Sequence, residues 1–224
     1  MSEVTSPAGL VERLEAENLA RARWYGFFSR WFLGPPDQQA IDLYLPASSG
    51  SPPSTDTAAV ADSTLESAWL LFSRALAGQP VAVIRGCYDE TFISVGEAPV
   101  SLHASVYLTG FSNERPLAEV RQWLAAQGIQ SGQAGLLTED HLGLLCEAMA
   151  WLIIGQGDSE AASAQTADGA DATQQYLFQH FISPVSDELC RRLTAAPGAG
   201  VYRELGHLFS AFCDVERQAF DIDR

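Results

Sequence analysis

Apolar residues recur along this chain at steps of three and four, with few segments alternating at steps of two. That spacing puts side chains on one face of an α-helix. The first stripe follows Ser6-Pro7 and runs through Leu10, Leu14, Trp24, Phe28 and Trp31 or Phe32, with the polar Arg21 among them. Gly34-Pro35-Pro36 ends it, because proline has no amide hydrogen to continue the ladder. A short helical piece is predicted over Asp37 to Leu45. Longer ones cover Ser63 to Ala77, with Gly78 and Pro80 beyond, and Pro80 to about Ile93, with proline in the first turn. Pro99 to Phe111 reads as irregular. Pro116 opens a helix that Gly128 closes. The strongest pattern is Thr138 to Ile154, where Leu142, Leu145, Met149 and Leu152 share a face. Gln174 to Ile182, Val185 to Thr194, and Gly200 to about Ala219 complete the helices. Two stretches without periodicity, 47–59 and 158–172, are rich in small and polar residues and read as mobile loops. The pattern predicts an all-α chain, a compact multi-helix bundle, with 1–224 as a single helical domain.

Composition narrows the chemistry. The chain is 47% hydrophobic and 18% charged, enough apolar material for a sizeable core. Its formal net charge is −15, and all 13 cations are arginine. Without lysine there is neither a Walker A phosphate loop nor Schiff-base chemistry. The acidic balance argues against nucleic-acid binding and suits a basic partner, although acidity also serves solubility. Cysteines at 87, 146, 190 and 213 form no CxxC and no zinc spacing, which reads as a reduced, intracellular protein. Cys146 and Cys213 fall on apolar helical faces. The first twenty residues lack an apolar signal core, and the longest apolar run, Ala148 to Ile154, is too short to span a bilayer, so no stable membrane insertion is expected.

The group with most chemistry is Thr138-Glu139-Asp140-His141, at the head of the strongest helical pattern. Local physics reads it as a helix start, with Thr138 as N-cap and Glu139 and Asp140 complementing the positive end of the dipole. The functional alternative places Asp140 and His141 beside a groove, where a carboxylate and an imidazole would bind cationic or amide groups of a peptide. Hydrolytic signatures are absent, and the four histidines, 103, 141, 180 and 207, lie in different segments. An enzyme would have to use Asp140 and His141 as an acid/base pair. A structural adaptor that uses only the acidic surface is a further alternative.

Four segments together resemble the TorD/DmsD family of molybdoenzyme maturation chaperones. They are Tyr88-Asp89-Glu90-Thr91-Phe92, Ser105-Val106-Tyr107-Leu108, Thr138-Glu139-Asp140-His141, and Val201-Tyr202-Arg203-Glu204-Leu205-Gly206. The resemblance spans roughly residues 80 to 220. It implies an all-helical, non-enzymatic cytoplasmic chaperone without a cofactor of its own. Its partner would be the twin-arginine signal peptide, or the precursor, of a molybdoenzyme catalytic subunit; the sequence itself leaves monomer and domain-swapped dimer both open, the stretch 158–173 permitting a swap. The implied peptide-binding residues are Asp140 and His141, with Ser105 and Tyr107 in the neighbouring segment and Thr138 and Glu139 beside them. The chain departs from the family's Glu-Pro-x-Asp-His pattern by carrying Leu137 and Thr138, and from its frequent Pro-Trp by carrying Pro184-Val185.

Overall fold

The computed structural model describes residues 7–44, 63–93, 98–110, 115–129, 137–155 and 167–222. Ten α-helices lie within them. These are α1 (Pro7–Leu33), α2 (Gln38–Tyr44), α3 (Ser63–Leu76), α4 (Val81–Phe92), α5 (Ala104–Thr109), α6 (Arg115–Ala126), α7 (Leu142–Gly155), α8 (Ala167–Leu177), α9 (Ser183–Ala195) and α10 (Val201–Ile222). A π-helical turn, Phe178–Ile182, joins α8 to α9. Among the described residues there is no β-strand; His103 and His141 form an isolated β-bridge. The all-α expectation is met.

α1 supplies the middle of the core because its apolar stripe is aromatic. Tyr25, Phe27, Phe28, Trp31 and Phe32 are all essentially buried. They meet α3 and α10 edge to face: Trp24 on Trp69 at 5.5 Å, Trp31 on Phe72 at 5.0 Å, and Phe28 on Phe209 at 4.9 Å between centroids. Each such side chain contributes roughly 1.5–3 kcal/mol by leaving water, and ring pairing adds to that. α7 lies along the other side of α1. Leu142, Leu145, Met149 and Leu152 are buried as the periodicity requires. Gly143 allows the approach, since a Cβ there would sit 2.8 Å from Leu33 Cγ. Not every aromatic is core: Trp151, on the outer face of α7, is 54% exposed.

A buried polar clasp ties α1 to α10. Arg21 donates through Nε and a terminal nitrogen to the two oxygens of Glu216 at 2.8 and 2.9 Å, and the Tyr25 hydroxyl donates to the same carboxylate at 2.8 Å. Burial opposes the Arg21 charge, but Glu216 outweighs it and holds the guanidinium above its ordinary value. Burial first, then the carboxylate, push the Tyr25 phenol well up.

Three local expectations change. Pro99 to Phe111 is not wholly irregular, because it contains α5. Residues 167–172 are the opening of α8 and not part of a loop, while 47–59 and 158–166 lie outside the described residues. The strongest helix starts at Leu142, four residues later than the pattern suggests.

Candidate functional site

The late start of α7 has a definite cause. Thr138 to His141 form a turn that pairs with the segment before α5. His103 and His141 make an antiparallel bridge: the Ala104 amide donates to the Asp140 carbonyl at 2.9 Å, and the Leu142 amide to the Leu102 carbonyl at 2.7 Å. Those carbonyls and amides cannot also serve a helix. α7 therefore begins from the His141 carbonyl, which accepts the Leu144 and Leu145 amides.

Asp140 does cap a helix, but not the one its sequence position indicates. His103, the N-cap of α5, makes no side-chain cap bond. The Asp140 carboxylate takes that place. One oxygen accepts the Ser105 amide at 3.2 Å and the Ser105 hydroxyl at 2.5 Å, and the other accepts the Thr138 hydroxyl at 2.5 Å. Two segments 35 residues apart in sequence are thereby joined by charge-assisted bonds. Asp140 is 1% exposed, and Ser105 is fully buried. The expectation that Thr138 caps the following helix, with Glu139 and Asp140 in its first turn, is corrected on this ground.

His141 is also internal, 4% exposed. Its Nδ1 accepts the Gly143 amide at 3.2 Å, which leaves the proton on Nε2. The ring stands edge-on to His103 at 5.2 Å. Burial, and then His103, lower its pKa to about 4 against the opposing pull of Asp140, so the imidazole is neutral at neutral pH.

The outer surface of this knot is carried by the other expected residues. Thr138, Glu139 and Tyr107 are all partly exposed. Glu139 pairs with Arg121 of α6 at 2.7 Å. The Tyr107 hydroxyl donates to the Ser101 carbonyl at 2.6 Å, and Arg192 of α9 lies 4.8 Å from its ring centroid. Burial pushes the Tyr107 phenol up, with Arg192 pulling the other way. Arg192 is in turn held by Glu188, whose carboxyl is brought down to about 2 by hydrogen bonds from Arg191 and Arg192. The result is a partly exposed face of Tyr107, Thr138 and the ion pairs Arg121–Glu139 and Arg192–Glu188, above the buried Ser105, Asp140 and His141. His103, Arg121, Glu188 and Arg192 belong to it and were not singled out from sequence. His103 is the N-cap of α5, while Arg121 and the Glu188–Arg192 pair come from two other segments, α6 and α9, and no local spacing marks them. Among the described residues no group of three or more His, Cys, Asp or Glu is arranged to hold a metal.

The other two motif segments also meet. Tyr88 and Phe92 of α4 pack with Tyr202 of α10, at centroid distances of 5.0, 5.7 and 5.2 Å. The Val100 amide donates to the Thr91 carbonyl at 3.1 Å, and so links this cluster to the strand-like segment that carries His103. All four motifs thus form one connected structure.

A model of the nitrate reductase delta subunit family matches residues 59–191, from before α3 into α9. The chain belongs to this family. The matched span contains the whole Ser105–Asp140 knot. Similar curated proteins are the chaperone protein TorD of Vibrio cholerae serotype O1, strain El Tor Inaba N16961, and its counterpart in the classical Ogawa strain O395. Each is 30% identical over 122 residues, 53% of this chain and 54% of the relative. The chain thus spans about half the length of the curated relatives it matches. These matches bear out the TorD/DmsD resemblance. Among the described residues no single helix is long and apolar enough to cross a membrane.

Proposed function

We propose that this protein is a cytoplasmic chaperone that binds the twin-arginine signal peptide of a molybdoenzyme catalytic subunit and assists its maturation before export. The observation that carries the proposal is the family match across the segment in which Ser105 and Asp140 are locked together. Within it, Asp140, Ser105 and His141 act from below: they fix the turn and α5, and their buried side chains do not reach the peptide. Tyr107, Thr138 and Glu139 are the contacts. Glu139 would exchange its exposed partner Arg121 for a peptide arginine, an exchange between ion pairs of similar solvent exposure and hence of low cost. Tyr107 offers an aromatic face with its hydroxyl already satisfied. The net charge of −15 favours encounter with a cationic segment.

The acid/base alternative loses support from the same geometry. Asp140 has both oxygens occupied, and His141 is buried with Nδ1 accepting a backbone amide. An adaptor role would leave the Tyr107–Glu139 face without a task. Fluorescence anisotropy with a labelled peptide carrying an arginine pair and an apolar segment distinguishes the readings. Saturable binding is expected, and Glu139→Arg should weaken it about tenfold or more, roughly 1.4 kcal/mol, with melting unchanged. No saturable binding by the wild-type chain would overturn the proposal.

A further inference from the structure

Away from the knot, α9 and α10 bring together three side chains that the proposed function does not use. Cys190 Sγ lies 3.3 Å from His207 Nδ1. His207 Nε2 lies 3.4 Å from the Thr194 hydroxyl oxygen, and that hydroxyl donates to the Cys190 carbonyl at 2.8 Å. The directions are mutually consistent. Because the Thr194 hydrogen is given to the carbonyl, its oxygen accepts the proton on Nε2. Nδ1 is then the unprotonated nitrogen and accepts from the thiol. A nucleophile is therefore within reach of a base, and a third group orients the base. The circuit is held by the helix contact beneath it, since a Cβ at Gly206 would lie 2.8 Å from Leu193 Cδ1 and 3.4 Å from Cys190 Cα. Cys190 is half-buried and His207 exposed, so a reagent approaches from the solvent side. Cys190 and Arg192 lie about 200° apart around α9, which puts the thiol on the face away from Tyr107.

We propose that Cys190 is a modification site for thiol–disulfide exchange with small cationic disulfides, with His207 as its base. As Sγ attacks one sulfur of the disulfide, the thiol proton passes to His207 Nδ1. The new S–S bond forms as the old one breaks, and the departing thiolate recovers the proton from His207. Cysteine and disulfide become mixed disulfide and free thiol, with no other oxidant. Burial raises the pKa of the Cys190 thiol, Thr194 opposes the rise, and the charges of Asp187 and Glu204 add to it, so the thiol is protonated in the resting state. Glu204 favours a cationic reagent over an anionic one; Asp187 is already paired with Arg217, and Arg191 next door is engaged by Glu188. The remaining thiols are differently placed: Cys146 and Cys213 are fully buried, and Cys87 faces the backbone of Gly200 in an apolar pocket.

The full chain is treated with cystamine or with oxidised glutathione and followed by intact mass and peptide mapping. The first adduct is expected on Cys190. After normalisation to each reagent's rate with free cysteine, cystamine should react about fivefold faster or more. His207→Gln should slow the cystamine reaction about tenfold or more with melting unchanged. If His207→Gln melts early, Thr194→Val, which frees the imidazole to turn, becomes the readout and should also slow the reaction. First labelling at Cys87, no preference for cystamine, or wild-type rates in the folded variant would overturn the proposal.

Discussion

Asp140 accepts from three donors while only 1% exposed, so its removal strands the buried Ser105 amide and hydroxyl. Each buried donor left unpaired costs about 1–3 kcal/mol. Asp140→Ala is therefore expected to destabilise the protein by about 2–4 kcal/mol, more than the 0.3–1 kcal/mol of a surface dipole effect, and a urea titration reads the difference. His141 gives a signed pH effect. In the unfolded chain the imidazole takes its proton near 6.5, and in the folded protein only near 4. Between these values the unfolded state binds more protons, so this histidine's contribution to stability is complete above pH 6.5 and is lost as the pH falls towards 4. The loss is at most about 1.4 kcal/mol per pH unit. Urea midpoints of wild type and His141→Gln should accordingly converge between pH 7 and 4.5; parallel curves would mean that His141 is not held neutral. The chemistry at this scale was half legible. From sequence Asp140 reads as a first-turn charge of the following helix, with Thr138 as its cap; in the structure the Asp140 carboxylate caps α5 instead. That it caps α5 depends on a contact 35 residues away, and helical periodicity carries no information about such a contact.

The helices were more legible than their joints. α7 is apolar on nearly every face and α1 carries an aromatic stripe, so burial fixes them whatever their ends do. α5 was missed because six residues span less than two turns and Ser, Val, Tyr and Thr have modest helix propensity; a carboxylate from another segment holds it. The π-helical turn was equally invisible. Pro184 lacks the amide that would continue the regular ladder, and Arg217 donates to the Ser183 carbonyl at 3.0 Å and to its hydroxyl at 2.8 Å. Two predictions belong here. Gly143→Ala brings a methyl to 2.8 Å from Leu33 Cγ and 3.1 Å from the Leu33 backbone nitrogen, so overpacking of about 1–3 kcal/mol is expected in thermal melts. At the α1–α10 clasp, Arg21→Met leaves Glu216 as an uncompensated buried charge and should cost about 3–5 kcal/mol. Arg21→Met/Glu216→Leu should recover at least about 1 kcal/mol of that, as a double-mutant cycle would show.

At the scale of the whole molecule, a bundle with 13 arginines, no lysine and a net charge of −15 presents a negative field to any partner. Affinity for an arginine-bearing peptide should fall as salt rises from 50 to 500 mM, because the screening length shrinks through about 10 Å near 0.1 M; calorimetry at several salt concentrations reads this, and a flat series would assign the binding to apolar contact alone. The fold supplies what such a site needs: two motif pairs, Tyr88–Tyr202 and Ser105–Asp140, each locked by long-range contacts and joined through Val100 and Thr91. A buried base under a partly exposed rim of Tyr107 and paired charges suits a partner that arrives unfolded, since the ordering cost then falls on the peptide. Hydrogen–deuterium exchange with and without a twin-arginine peptide tests this most directly. The account predicts added protection concentrated in 101–109 and 137–145, with α10 from 207 onward unchanged. Protection confined to other helices, or none at saturating peptide, would contradict it.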